Sequence, residues 1–154
     1  IKKLDIEPII KSVVDDFNNI YKLKRGIKIS YINDKKNKYY INGTENRIEQ
    51  IIANLLDNAV SFSEDNKEVL VKVSKSKESN VIVNILDEGD GFREKDTNKI
   101  FNRFYSNRPD KFGEHPGLGL NIVKNLVDLH NATIKASNRL GQKGASMEIV
   151  FPKA

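Results

Sequence analysis

The 154-residue sequence predicts a two-layer α/β sandwich, in which one layer of helices covers a mixed β-sheet. Three observations support this prediction. Apolar residues recur at helical spacing in three long segments, and they alternate with polar residues in several shorter ones. The helices and strands follow one another in mixed order, whereas a doubly wound sheet needs regular β-α-β alternation. The composition, 38% hydrophobic and 31% charged, is that of a globular domain.

Three segments have the helical pattern. The first runs from Ile6 to Tyr21, with Asp5 as its cap and Gly26 as its stop signal. The second extends from about Glu45 to Phe62, and the third from Leu118 to Leu129. Each places its apolar residues in one stripe, so each is predicted to cover the sheet with that face.

Six shorter segments are predicted to be strands: IKISYI, YYIN, VLVKVS, VIVNILD, ATIKAS and ASMEIVF. The stretches KSKESN and NRLGQKG are predicted turns. A long polar segment at about 99–117 is predicted to be a lid, since long loops in compact domains usually serve function. We expect residues 1–154 to form one domain, with 1–5 as a residual linker.

The composition excludes several classes of function. There is no cysteine, and the two histidines, His115 and His130, are not clustered, so a zinc site is not expected. No apolar run reaches eighteen residues and no signal peptide is visible, so the piece is expected to be soluble as it stands. The net charge of +5 comes from scattered lysines, which favours a solvated surface over a nucleic-acid interface and also suits a polyphosphate ligand.

The second helix contains the stretch NLLDNAVSFS, in which Asn54 and Asn58 share one ridge. Asparagine is unfavourable inside a helix, so this pair needs an explanation. Amide oxygens can ligate Mg²⁺, and amide NH₂ groups can contact phosphate. The alternative is that both side chains face solvent in an asparagine-rich chain, and the helix alone does not exclude it.

Two glycine-containing stretches lie at the ends of predicted elements. DEGDGF, from Asp87 to Phe92, follows a strand; a carboxylate there can accept a hydrogen bond from an exocyclic amine such as that of adenine. Glycine lets the backbone approach a flat ring closely. GLGL, from Gly117 to Leu120, opens the third helix, where free backbone N–H groups favour an anion. Taken singly, each stretch is also compatible with an ordinary turn or helix start.

In combination, these stretches resemble the ATP-binding catalytic domain of sensor histidine kinases, in the GHKL (Bergerat fold) superfamily. NLLDNAVSFS resembles the N box, DEGDG the G1 box, IFNRFY the F box and GLGL the G2 box, while KGAS resembles a degenerate third glycine site. The resemblance implies a mixed, mostly antiparallel sheet of five strands covered on one face by three helices. It also implies an ATP lid.

For the base of the nucleotide, the resemblance implies a role for Asp87 in binding the adenine amine. Gly89 and Gly91 would shape the wall of this site, with Phe92 completing the same stretch as a nucleotide-binding residue. Phe62 matches the aromatic residue that lies beside the base in this family.

For the phosphates, the resemblance implies that Asn54 and Asn58 hold both Mg²⁺ and the phosphate groups. Arg103 matches the F-box arginine that reaches the γ-phosphate, so Asn54 and Arg103 are the catalytic candidates. Backbone amides at the start of the third helix would contact the phosphates. The residues concerned are Gly117, Leu118 and Gly119.

Two positions depart from the family pattern. Ser61 stands where the family often has lysine, which removes one phosphate contact. His115 occupies the first glycine position of the G2 box, which would stiffen the lid or alter its closing. A phosphoacceptor histidine followed by an acid and a nearby proline is absent, since neither His115 nor His130 has that context.

The resemblance therefore implies a protein-histidine kinase half that binds Mg-ATP and donates the γ-phosphate to a histidine on a separate dimerisation domain. It would not autophosphorylate alone. The response regulator would be an indirect partner, and the domain would be cytoplasmic, reaching a membrane only through a full-length inner-membrane sensor. The alternatives are an anti-sigma-type serine kinase of the same superfamily and a non-catalytic nucleotide-sensing module. Hydrolysis of the gyrase type is disfavoured because Asn54 replaces the glutamate base.

Overall fold

The computed structural model describes residues 1–34, 37–92, 97–101 and 118–154, with the backbone but not the side chain of Leu118. The strands are β1 (Lys2–Asp5), β2 (Lys28–Asn33), β3 (Tyr40–Gly43), β4 (Glu68–Lys75), β5 (Val81–Leu86), β6 (Thr133–Asn138) and β7 (Ala145–Phe151). The helices are α1 (Ile6–Arg25), α2 (Glu45–Phe62) and α3 (Leu118–Leu129), with a short 3₁₀ helix at Thr97–Phe101.

Five strands form the main sheet in the order β2-β4-β5-β7-β6. The β2–β4 pair is parallel, and the other three pairs are antiparallel. The three helices supply the second layer, and the sheet is open. The predicted fold class, a mixed and mostly antiparallel five-stranded sheet covered by three helices, is confirmed.

The core lies between the helices and one face of the sheet. Helix α1 buries apolar residues spaced three and four apart: Ile6, Ile9, Ile10, Val13 and Val14. Strand β7 alternates between buried and half-buried residues along its whole length, as does β5. These are the periods that a helix and a strand with one buried face require.

Strands β1 and β3 form a separate two-stranded antiparallel sheet. It includes most of the segment 1–5, for which the sequence alone suggests a linker. Residue Asp5 ends this strand and caps α1, since its carboxylate accepts a hydrogen bond from the Glu7 N–H at 3.1 Å. The Ile6 N–H donates to the carbonyl of buried Tyr39 at 3.0 Å, which joins the start of α1 to this small sheet.

The C-terminal ends of α1 and α2 meet at one corner. Helix α1 ends at Gly26, which adopts a left-handed conformation (φ +65°) as predicted. The Arg25 guanidinium donates to the carbonyls of Val60 (2.7 Å) and Ser63 (2.5 Å) at the end of α2. It also pairs with Asp65 at 2.7 Å. Carbonyls at a helix end have no partner within the helix, so Arg25 supplies one from another element.

Among the helices that the structure describes, none is long and apolar enough to cross a bilayer.

We predict that Arg25→Ala lowers the free energy of unfolding by about 2–3 kcal/mol, because charged hydrogen bonds to α2 carbonyls are lost. Urea denaturation followed by circular dichroism measures this change. The control is Asp65→Asn, which removes only the exposed ion pair (Asp65 side chain 61% exposed) and should cost less than about 1 kcal/mol. Equal losses in both variants would mean that the ion pair, and not the contact with α2, stabilises the corner.

Candidate nucleotide site

The carboxylate of Asp87 lies directly after β5, at the point where β5 leaves its pairing with β7. Asp87 is 4% exposed. Its backbone N–H donates to the Ala145 carbonyl at 3.0 Å, which extends the β5–β7 ladder by one residue. Its Oδ1 accepts from the N–H groups of Gly89 (2.9 Å) and Ala145 (3.0 Å). Both bonds end on Oδ1, and Oδ2 accepts no hydrogen bond from the described residues.

Burial raises the pKa of the Asp87 carboxyl above its usual range, and this effect is the largest. The hydrogen bonds from Gly89 and Ala145 and the charge of Arg139 favour the ionised form and oppose the rise, while Glu88 adds to it. A buried carboxylate is costly unless it is hydrogen-bonded. Such a group is a candidate for a functional residue.

Gly89 brings the Asp87 segment against the end of α2. A Cβ at this position would lie 2.4 Å from the Phe62 carbonyl oxygen and 3.3 Å from Asp87 Oδ1. Only glycine fits this approach. The structure therefore brings together three of the predicted site residues, Phe62, Asp87 and Gly89.

Helix α2 carries the predicted polar ridge. Asn58 is 5% exposed and Asn54, one turn earlier, is half-buried. Asn58 has an interaction partner in the structure. Neither asparagine is freely exposed, which disagrees with the alternative of two solvent-facing side chains. Ser61, where lysine was expected from the family pattern, is 5% exposed and donates to the Asp57 carbonyl at 2.8 Å.

The turn between β6 and β7 supports the Asp87–Phe92 segment from behind. Arg139 Nη1 donates to the Asp87 carbonyl at 3.0 Å. The Asn138 side chain accepts from the Phe92 N–H at 2.6 Å and donates to the Phe92 carbonyl at 3.3 Å. Lys143 contacts Asp90 at 2.8 Å. The sequence predicts this turn and a weak third glycine site at its end, but it assigns no contact with the Asp87–Phe92 segment to Asn138, Arg139 or Lys143.

Gly144 is the part of that turn that lies nearest Asp87. Its φ is +135°, and a Cβ there would lie 2.0 Å from the Asp87 carbonyl oxygen and 2.9 Å from Arg139 Cδ. Gly91 is in a related position: its φ is +80°, and a Cβ would lie 2.6 Å from Asn138 Oδ1. Both glycines are required by the close approach between the two segments; of the two, the sequence predicts only Gly91 as part of the site wall.

The start of α3 and the first part of the F box pack together. Ile100 and Phe101 are buried, and the Asn121 side chain donates to the Phe101 carbonyl at 3.2 Å. A Cβ on Gly119 would meet no atom of the described residues within 4 Å. The predicted site residues Arg103 and Gly117, together with His115, Phe104 and Tyr105, lie outside the described residues, as does the side chain of Leu118.

His130 has a structural environment. It is 5% exposed; its Nδ1 lies 2.7 Å from the Leu126 carbonyl oxygen, and its Nε2 accepts from the Thr44 N–H at 3.4 Å. Its ring meets Phe151 edge to face at 6.5 Å. Both ring nitrogens are engaged, so His130 joins α3 to the start of α2.

The described part of the site has two chemically different ends. One is the buried carboxylate of Asp87, next to Gly89 and the end of α2. The other is the amide ridge of α2. Within the described ranges, no cluster of histidine, cysteine, aspartate and glutamate could hold a metal ion. The arrangement suits a flat base with an exocyclic amine at one end and oxygen-rich groups at the other.

This combination of fold and site defines a class of nucleotide-binding ATPase. The model of the histidine kinase-, DNA gyrase B- and HSP90-like ATPase family matches residues 43–154. The chain belongs to this family, and ATP is the nucleotide that membership implies.

The relatives include sensor proteins and sensor histidine kinases. The sensor protein ChvG of Agrobacterium fabrum is 35% identical over 148 residues, which cover 92% of this chain and 25% of ChvG. The sensor histidine kinase YvrG of Bacillus subtilis is 31% identical over 154 residues, covering 99% of this chain and 26% of YvrG. The chain thus spans about a quarter of the length of these curated relatives.

Solved histidine kinase structures have the same fold. The nucleotide-free catalytic domain of ThkA superposes with a TM-score of 0.84 at 24% identity, covering 99% of this chain and 95% of that one. ThkA has also been solved in complex with the response regulator protein TrrA (TM-score 0.81, 22% identity, covering 99% of this chain and 42% of that one). Full-length ShkA in complex with AMPPNP gives a TM-score of 0.81 at 28% identity, covering 98% of this chain and 30% of ShkA.

We predict that Gly144→Ala lowers the free energy of unfolding by more than about 3 kcal/mol, because the new Cβ would collide with the Asp87 carbonyl in a disfavoured backbone conformation. The matched control is Gly141→Ala in the same turn. Gly141 has φ +75° but no described atom within 4 Å of a Cβ. That variant should lose only about 1 kcal/mol. Similar losses in chemical denaturation would show that backbone strain alone explains the need for Gly144.

We also predict that Asp87→Asn is at least as stable as the unmodified chain at pH 7. The amide oxygen can still accept from Gly89 and Ala145, and the buried charge is removed. Because the folded-state pKa of Asp87 is raised, its ionisation destabilises the fold as the pH rises above the ordinary value of 3.8. The advantage of the variant should therefore vanish below that pH. Thermal unfolding of both proteins between pH 3 and pH 8 measures it; a variant that is less stable at pH 7 would contradict the prediction.

Proposed function

We propose that this chain binds Mg-ATP and donates the γ-phosphate to a histidine on a separate dimerisation domain of the same kinase. The observation that carries the proposal is the buried Asp87, whose Oδ1 accepts from two backbone N–H groups while Oδ2 accepts none from the described residues. A carboxylate with one fixed acceptor recognises an exocyclic amine, as adenine has. The ShkA complex with AMPPNP, a nucleotide held by a protein of this fold, supports the same assignment.

The base end of the proposed site consists of Asp87, Gly89, Gly91, Phe92 and Phe62. Asp87 Oδ2 would accept from the adenine amine, while the glycine backbone lets the ring lie close to the segment. Because Asp87 must be ionised to act only as an acceptor, its raised pKa implies that ATP affinity falls as the pH drops through that pKa.

The phosphate end of the proposed site lies on α2. Asn54 and Asn58 offer amide oxygens one turn apart, and Mg²⁺ prefers oxygen ligands shared with phosphate and water. This donor set fits Mg²⁺, which would neutralise phosphate charge during transfer. We propose that Arg103 and the backbone amides of residues 117–119 also contact the phosphates. Arg103 and Gly117 lie outside the described residues.

The acceptor histidine would come from another domain. His130 is buried with both ring nitrogens engaged, so it offers no free nucleophile. Neither His115 nor His130 has the sequence context of a phosphoacceptor. We therefore propose that the chain does not autophosphorylate alone and that catalysis consists of positioning and charge stabilisation. Asn54 is uncharged, which disfavours general-base activation of water in its place.

We propose that residues 1–154 are the single ATP-binding catalytic domain of a longer protein, with the lid at about 99–117. The curated relatives are sensor proteins about four times as long as the matched segment. We propose that the whole protein is a membrane-anchored sensor with this domain in the cytoplasm, and that a response regulator is its indirect partner.

The test of the proposed function combines binding with transfer. We predict that Asp87→Asn weakens ATP binding by about tenfold or more, since losing a hydrogen bond to a charged group costs about 1.5–3 kcal/mol. Isothermal titration calorimetry measures the affinity. The control is Asp128→Asn, another carboxylate-to-amide change, at an exposed position on α3 (side chain 56% exposed). Unchanged affinity in the Asp87 variant would show that the base binds elsewhere.

Transfer is measured by incubating the chain with γ-³²P-labelled ATP and a separately produced histidine-containing dimerisation domain. We expect label on the acceptor and none on this chain. Tight ATP binding with no label on any acceptor would instead favour the non-catalytic, nucleotide-sensing alternative.

A further inference from the structure

The Asp87–Phe92 segment is anchored at both ends by two neighbouring residues of another part of the chain. At its first residue, Arg139 Nη1 donates to the Asp87 carbonyl at 3.0 Å. At its last residue, Asn138 forms two hydrogen bonds with the Phe92 backbone. The anchor residues end β6 and open the β6–β7 turn, while the anchored segment follows β5.

Arg139 is itself held in place. Its backbone N–H donates to the Gly144 carbonyl at 2.9 Å, which closes the turn, and its side chain is half-buried. The absence of a side chain on Gly144 lets the Asp87 carbonyl enter this turn. The Arg139 guanidinium therefore holds the peptide group that contains the Asp87 carbonyl. Its positive charge also favours the ionised form of the Asp87 carboxylate.

Asn138 uses both halves of its amide. Oδ1 accepts from the Phe92 N–H at 2.6 Å, and Nδ2 donates to the Phe92 carbonyl at 3.3 Å. A side chain must carry both a donor and an acceptor to make this pair. Gly91, immediately before Phe92, has no Cβ to collide with that amide. The contact therefore fixes the Phe92 end of the segment.

We propose that Asn138 and Arg139 are positioning residues for base recognition, which hold the Asp87–Phe92 segment so that Asp87 Oδ2 meets the exocyclic amine of a purine. This inference rests on the proposed function. A small misplacement of a binding group costs affinity even when the group itself is intact, so residues that lock it in place set specificity. Loss of either anchor should weaken the contact with the amine specifically.

The test compares two ligands that differ only in that amine: ATP, and purine riboside triphosphate, which has hydrogen in place of the 6-amino group. Affinities are measured with Mg²⁺ by calorimetry. The unmodified chain should prefer ATP by about tenfold. Arg139→Ala and Asn138→Ala should each lose most of that preference, through weaker ATP binding, while affinity for the analogue stays within about twofold.

Two further variants serve as controls. Leu140→Ala, at a residue of the same turn that is 97% exposed, should keep the full preference. Arg139→Lys retains a cationic donor for the Asp87 carbonyl and should restore part of the preference lost in Arg139→Ala. Thermal unfolding checks that each variant is folded; if Arg139→Ala is not, Arg139→Lys and Asn138→Ala decide the question by the same comparison.

The outcomes distinguish the positioning role of Asn138 and Arg139 from the binding role of Asp87. Equal loss of affinity for both ligands would mean that Asn138 and Arg139 only maintain the fold, which would overturn this inference. No preference for ATP in the unmodified chain would instead overturn the assignment of Asp87 to the adenine amine. A preference that disappears in Asp87→Asn and is reduced in the two alanine variants supports both.

Discussion

The structure depends on the pairing of β5 with β7, because this pairing buries the carboxylate of Asp87 and brings hydrogen-bond donors to it. Leu86 lies opposite Ser146 in the ladder, so the next residue, Asp87, meets Ala145. The same geometry lets the Ala145 N–H join that of Gly89 on Asp87 Oδ1, while Oδ2 accepts no hydrogen bond from the part of the chain that the structure describes. Burying this charge lowers the stability of the fold. The glycines around it and the conformation of the β6–β7 turn are needed because the chain segments approach one another so closely at Asp87.

Several parts of the fold and site could be predicted from the sequence because their signals are local. The limits of α2 and α3 follow from apolar periodicity, and the Asp-x-Gly-x-Gly spacing marks Asp87 and its neighbours. The anchors could not be predicted. Arg139 contacts a residue 52 positions away, and Asn138 one 46 positions away. Strand register determines which residues these side chains contact. Register depends on the assembled sheet and cannot be predicted from the nearby sequence.

The polar residues buried in this protein fall into two groups with different consequences. His130 and Ser63 complete hydrogen bonds at the ends of helices, where they satisfy backbone groups. Asp87 and Asn58 are buried beside the candidate site, and burial raises the pKa of Asp87. In the first group burial contributes to stability. For Asp87, burial lowers stability relative to a neutral side chain and provides a fixed acceptor, which is the usual relation between stability and function at a binding site.

The β6–β7 turn is a short connection at the surface, with a fully exposed leucine at its tip. Connections of this kind are ordinarily the places where a chain accepts extra residues or a fused label. Here Arg139 and Gly144 close the turn and both contact Asp87, so its length sets the distance between the end of β6 and the opposite strand end. An inserted residue would separate these two contacts. For anyone attaching a tag or fluorophore, the exposed loop between β4 and β5 is therefore the better position.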